Sequence, residues 1–135
     1  MRAALLLIAC VSCGHSEIRW SLPPAMSPSK REAFSRSIER WNAIAIVQQS
    51  VGEGDRRVVL RDRSEMQNGC IANAETNGRE IRLAPDADEA AMAHEIGHAL
   101  GLGHIAGHGV MSAPAETAAP TESDREECRR VRACE

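Results

Sequence analysis

The stretch His94-Glu95-Ile96-Gly97-His98-Ala99-Leu100-Gly101-Leu102-Gly103-His104 decides how this chain reads. Residues four apart on an α-helix lie one above the other, so His94 and His98 can aim at a single ion. Glu95 leaves the same helix beside them, within reach of a water held there. Gly101 suits the left-handed conformation in which many helices end and which a β-carbon penalises. The turn then returns His104 as a third ligand. Three neutral imidazoles with a fourth position open to water predict a catalytic site for one Zn2+ rather than a structural one, with Glu95 as general base. H-E-x-x-H alone arises by accident in helices. Here Gly101 and His104 extend it, and four of the chain's five histidines fall within residues 94–108.

Seven residues beyond His104 comes Met111, within Gly109-Val110-Met111-Ser112-Ala113-Pro114. At this point the chain resembles the metzincin metallopeptidases, which pair the long histidine motif with a downstream methionine turn. That resemblance implies that Met111 forms an apolar floor under the imidazoles without binding the metal. Taken alone, Met111 reads as a core residue. Within the clan the chain is most similar to the matrixin-type catalytic domain. Gly69-Cys70-Ile71-Ala72-Asn73-Ala74-Glu75 and Gly78-Arg79-Glu80-Ile81-Arg82-Leu83 resemble its edge strand and the strand that follows, and Thr121-Glu122-Ser123-Asp124 resembles the opening of its last helix.

The resemblance covers most of residues 16–134. It implies an α+β, metzincin-like zincin fold, a small twisted mixed sheet with an active-site helix, a Met-turn and a C-terminal helix. It implies a zinc endopeptidase acting on protein or peptide substrates, with the substrate extended along Ile71, Ala72, Asn73 and Ala74. Residues 110–115 would then wall the pocket beside the scissile bond. Two departures matter. Ile105 stands where matrixins usually carry serine, and the loop that houses a structural zinc and calcium ions has no counterpart. His15 and His108 are too few for a second zinc site, so no structural zinc or calcium is expected. No cysteine-switch prodomain is expected either, which leaves a proteinaceous inhibitor, a low intrinsic rate or separation from targets as ways to restrain activity.

A chain of 135 residues bounds one domain, here a leader over residues 1–13 and a domain over 14–135, expected to be monomeric. The net charge of −3 argues against nucleic acid as a partner. Tyrosine is absent and aromatics make up 2%, so Leu, Ile, Val, Ala and Met must fill the core around Trp20, Trp41 and Phe34. Arg2 followed by the apolar run 3–9 reads as an export signal, too short to span a bilayer. Leu7-Ile8-Ala9-Cys10 resembles a bacterial lipobox, with Cys10 the lipidated residue and Cys13 its rival. An ordinary secretory signal remains the alternative. Either way the protein is expected to be exported, lipid-anchored at the cell envelope or secreted.

With Cys10 set aside, Cys13, Cys70, Cys128 and Cys134 remain, an even number suited to an oxidising compartment. Cys128 and Cys134 are poorly placed to bridge each other if their segment stays helical. Four cysteines allow three connectivities and the sequence does not choose among them; at least one of the two is expected to tie the last helix to the body, Cys70 being one partner open to it, and free thiols are the alternative. Residues 17–22, 57–63, 71–75 and 79–83 read as strands, the last two joined at the turn signal Asn77-Gly78. Ser27-Pro28 opens a helix with an apolar stripe at Phe34, Ile38, Trp41 and Ala45. Asp86 and Glu89 read as a capping box for the histidine helix, and residues 123–132 as the final helix. Two other readings compete with an active enzyme: a zinc-stabilised surface binding module with weak or no turnover, and a lipoprotein whose histidines are accidental. Intact Glu95 argues against the first, and the extension through His104 against the second.

Overall fold

The computed structural model describes residues 17–66 and 74–135. Five strands form one sheet: β1 (Ile18–Ser21), β2 (Gln49–Val51), β3 (Arg56–Leu60), β4 (Ala74–Thr76) and β5 (Glu80–Leu83). Their order is β2-β1-β3-β5-β4, parallel throughout except for β4, which runs antiparallel to β5 at one edge. The three α-helices are α1 (Pro28–Asn42), α2 (Glu89–Ala99) and α3 (Glu122–Arg130). The protein is thus mixed α+β, with a mostly parallel sheet. Among the described residues no helix is long and apolar enough to cross a membrane.

The helix α1 begins where its sequence says it should. Ser27 caps it, accepting from the Lys30 amide at 3.3 Å, and Pro28 occupies the first turn, where its missing N–H costs nothing. Phe34, Ile38 and Trp41 face inward, and Trp20, Phe34 and Trp41 are all fully buried. Each such side chain contributes about 1.5–3 kcal/mol by leaving water. Ala45 is buried too, but as a bridge partner of Cys134 beyond the helix end rather than as a fourth rung of the stripe. Both indoles find acceptors, Trp20 in the Gln49 side chain and Trp41 in the Ala93 carbonyl, each at 2.8 Å. The second bond fastens α1 to α2 one residue before His94. On the sheet, register sets Arg57 opposite Glu80 and Glu75 opposite Arg82, and both pairs form salt bridges.

Several local expectations are corrected. β2 has no strong alternation in sequence and was not anticipated; it forms because it pairs parallel to β1. The strand expected at 57–63 is β3, ending at Leu60, and the pair expected at 71–75 and 79–83 appears as β4 and β5. Ile71, Ala72 and Asn73 lie outside the described residues, as do Cys10, Cys13 and Cys70. The β4–β5 connection runs through Asn77, Gly78 and Arg79, with Gly78 at φ 85° and the Asn77 carboxamide accepting from the Arg79 and Glu80 amides. The cap of α2 is Asp88, accepting from the Ala91 amide at 2.8 Å, not Asp86, which pairs with Arg63. An acceptor must stand immediately before the first helical turn to reach its third amide, and Asp86 is two residues too early.

The chain end differs most from expectation. Helix α3 stops at Arg130, and Arg132 takes a left-handed φ of 59° that turns the chain back. Cys134 therefore meets Cys128, Cα to Cα 5.2 Å apart, in a disulfide. The expected obstacle to that pairing, a helix continuing through both cysteines, does not exist.

Candidate metal centre

The helix α2 carries His94 and His98 on one side, and Leu100 and Gly101 end it, Gly101 at φ 94° as its position predicted. The Leu102 amide returns to the Gly97 carbonyl at 3.2 Å, which reverses the chain and delivers His104. The Nε2 atoms of His94, His98 and His104 then lie 3.1, 3.2 and 3.2 Å from one another. The three histidines form a group that could hold a metal ion.

The hydrogen bonds on the far side of two rings sharpen this point. Nδ1 of His94 faces the Val110 carbonyl at 2.6 Å, and Nδ1 of His98 faces the Leu102 carbonyl at 2.8 Å. A carbonyl only accepts, so each Nδ1 must carry the proton and each Nε2 a lone pair. The His94–His98 contact is therefore not a hydrogen bond between them. Lone pairs at that separation could together serve a cation, and a carbonyl behind each ring is the usual support of a metal-bound imidazole. Burial pushes the His94 imidazole down to about 4 and lowers His98 as well, against the opposing pull of their carbonyl partners. Both rings are neutral at neutral pH, the form that binds metal.

Glu95 is buried beside this group, and among the described residues its carboxylate accepts no side-chain hydrogen bond. Burial, and then the negative charge of Glu75 on the edge strand, raise its carboxyl to about 7. A cation at the imidazoles would oppose that shift. Met111 is fully buried and packs against Gly97, whose missing side chain leaves room for it and for the Trp41 ring. Val110 and Ser112 are buried on either side, whereas Ala113 and Pro114 are exposed. Ile105 donates its amide to the Met111 carbonyl at 3.0 Å, so the His104 segment and the Met111 turn are stitched together. Ala74, the described part of the expected substrate strand, lies in β4 at the edge of the sheet, and β4 packs beside α2.

Sequence reasoning missed the carboxylates behind the site. Asp124, expected only as part of a helix opening, is fully buried and accepts from the Val110 and Met111 amides at 3.0 and 2.8 Å. Glu127 accepts from the Gly103 amide at 3.2 Å, next to His104. The one available signal was the Thr121–Asp124 capping box, which explains an acid at that position without hinting at its second role. His108 pairs with Glu116 on the surface and takes no part in the histidine group. No protein-family model matches the chain, and comparison with curated proteins finds no significant match.

Proposed function

We propose that the protein is an exported zinc-dependent endopeptidase of the metzincin type, with a matrixin-like catalytic domain. The observation that carries this reading is the triangle of three Nε2 atoms with two rings fixed by carbonyls, beside a buried carboxylate from the same helix. Zinc fits the donor set, because imidazole nitrogens held at about 2.0–2.1 Å around a tetrahedral ion lie about 3.4 Å apart, close to the spacing found here. Among the described residues no thiolate or carboxylate joins the three imidazoles, and a fourth position left to water and substrate is the arrangement of a catalytic rather than a structural site.

Zinc bound there would supply Lewis acidity, which makes water acidic enough to react near neutrality and polarises a peptide carbonyl. The remaining work falls to this chain's own residues. Glu95 takes the proton of the attacking water onto a carboxylate oxygen and delivers it to the departing amine nitrogen. Its burial keeps competing solvent away from that proton. The edge of β4 offers backbone groups to an extended peptide, which gives affinity with little sequence demand. Residues 110–115 supply the neighbouring pocket wall. Export, with or without a lipid on Cys10, belongs to the same reading, since a disulfide between Cys128 and Cys134 suits an oxidising compartment.

The test is cleavage of a mixed peptide library by the parent and by Glu95→Ala, each with its zinc content measured. Cutting by the parent that stops on chelation, and falls at least about 100-fold in the variant, supports the reading. Silence from a zinc-loaded parent contradicts it and favours a surface binding module.

A further inference from the structure

The metal-binding stretch is held from outside by α3. Asp124, Glu127 and Cys128 stand three and four residues apart and so share one face of that helix. Asp124 Oδ1 accepts from the Met111 amide, and the carbonyl of that same peptide group is Val110 O, the acceptor for His94 Nδ1. Asp124 Oδ2 accepts from the Val110 amide and from Thr121, through both its amide and its hydroxyl. One peptide plane thus stands between a buried carboxylate and a metal-ligand ring. Accepting from the N–H end of a peptide draws electron density toward its carbonyl, which strengthens the bond the carbonyl makes to the imidazole.

Glu127 does a similar service for His104. That ring is exposed, and among the described residues nothing bonds its Nδ1, so its aim depends on its backbone. The amide before it, Gly103, donates to Glu127 Oε1; the amide after it, Ile105, donates to the Met111 carbonyl. Arg130 grips both Glu127 oxygens at 2.6 Å and fixes the carboxylate in place. The Cys128–Cys134 disulfide ties the helix to the chain end, and that end is moored to the body by the Ile46 amide on the Ala133 carbonyl and by the Ala45–Cys134 bridge.

We propose that α3 is the clasp of the metal centre, with Asp124 and Glu127 as positioning residues that set how long the ion is retained. This rests on the zinc reading above, and its test is independent of peptide cleavage. The full chain is loaded with zinc, and release to an excess of chelator is timed for the parent, Glu127→Ala, Glu127→Gln and Arg130→Ala. Cobalt-substituted samples of the same proteins report ligand geometry through their visible absorption. Asp124 is wholly buried, so its replacement would test the fold together with the site; Glu127 lies at the rim and separates the two.

The expected result is release about tenfold faster from Glu127→Ala, with an altered cobalt spectrum and an unchanged thermal midpoint for the metal-free protein. Glu127→Gln, which keeps an acceptor for Gly103, should return to within about threefold of the parent, and Arg130→Ala should fall between them. A zinc-loaded parent matched in release rate and spectrum by Glu127→Ala overturns the clasp and leaves the zinc reading standing. A loss of metal-free stability that accounts for the whole effect also overturns it. A parent that binds no zinc overturns both.

Discussion

Met111 packs so closely on the backbone of Gly97 that a β-carbon at position 97 would overlap its sulfur and come within 2.8 Å of the Trp41 ring. The two residues in the middle of the histidine motif thus have unequal duties. Ile96 fills the core, and Gly97 makes room for the methionine turn. Gly97→Ala should gain about 1 kcal/mol in helix propensity yet lose more through overpacking, for a net destabilisation of about 1–2 kcal/mol. Urea unfolding of the metal-free proteins measures it; a stabilised variant would show that the contact relaxes freely.

His98→Ala removes one corner of the Nε2 triangle and the bond that holds the turn at Leu102. The variant should lose its zinc on dialysis against buffer while the parent keeps one ion per chain. Metal analysis of the dialysed proteins checks this, and full occupancy in the variant would contradict the three-histidine site.

The Cys128–Cys134 bridge closes a short loop, so its effect on chain entropy is limited to about 2 kcal/mol. Cys128→Ser with Cys134→Ser should lower the thermal midpoint by several degrees. Thiol titration of the unfolded parent without reductant should find neither cysteine free, and labelling of both would rule the bridge out.

Glu80 is held between Arg82 and Arg57, and hydrogen bonds from those guanidiniums, Arg82 first, lower its carboxyl below the ordinary value despite its burial. A carboxyl lower in the folded than in the unfolded protein stabilises the fold above the unfolded value of about 4.3. That stability is lost as pH falls through the folded value. In denaturant midpoints, Glu80→Gln should therefore differ most from the parent near neutral pH and approach it as the pH falls below the ordinary carboxyl range. A difference that stays constant with pH would remove the ion pairs from the explanation.

What was legible in the sequence, and what was not, follows from the reach of each interaction. His94, His98, Gly101 and His104 act within eleven residues, through one helix and one turn, so their spacing states their geometry. Ser27-Pro28 and the inward stripe of Phe34, Ile38 and Trp41 are local in the same sense. Asp124 and Glu127 act on backbone amides about 14 and 24 residues away, and an amide carries no sequence signature. The disulfide turned on Arg132 adopting a left-handed conformation that glycine, not arginine, usually marks. β2 owes its existence to pairing with β1 rather than to any alternation of its own.

X-ray absorption at the zinc edge of the purified full chain tests the central claim most directly. The account predicts one zinc per chain with three imidazole nitrogens at about 2.0–2.1 Å and a single light-atom ligand completing the tetrahedron. Sulfur in the coordination shell, fewer than three imidazoles, or a fourth protein nitrogen closing the site would contradict it.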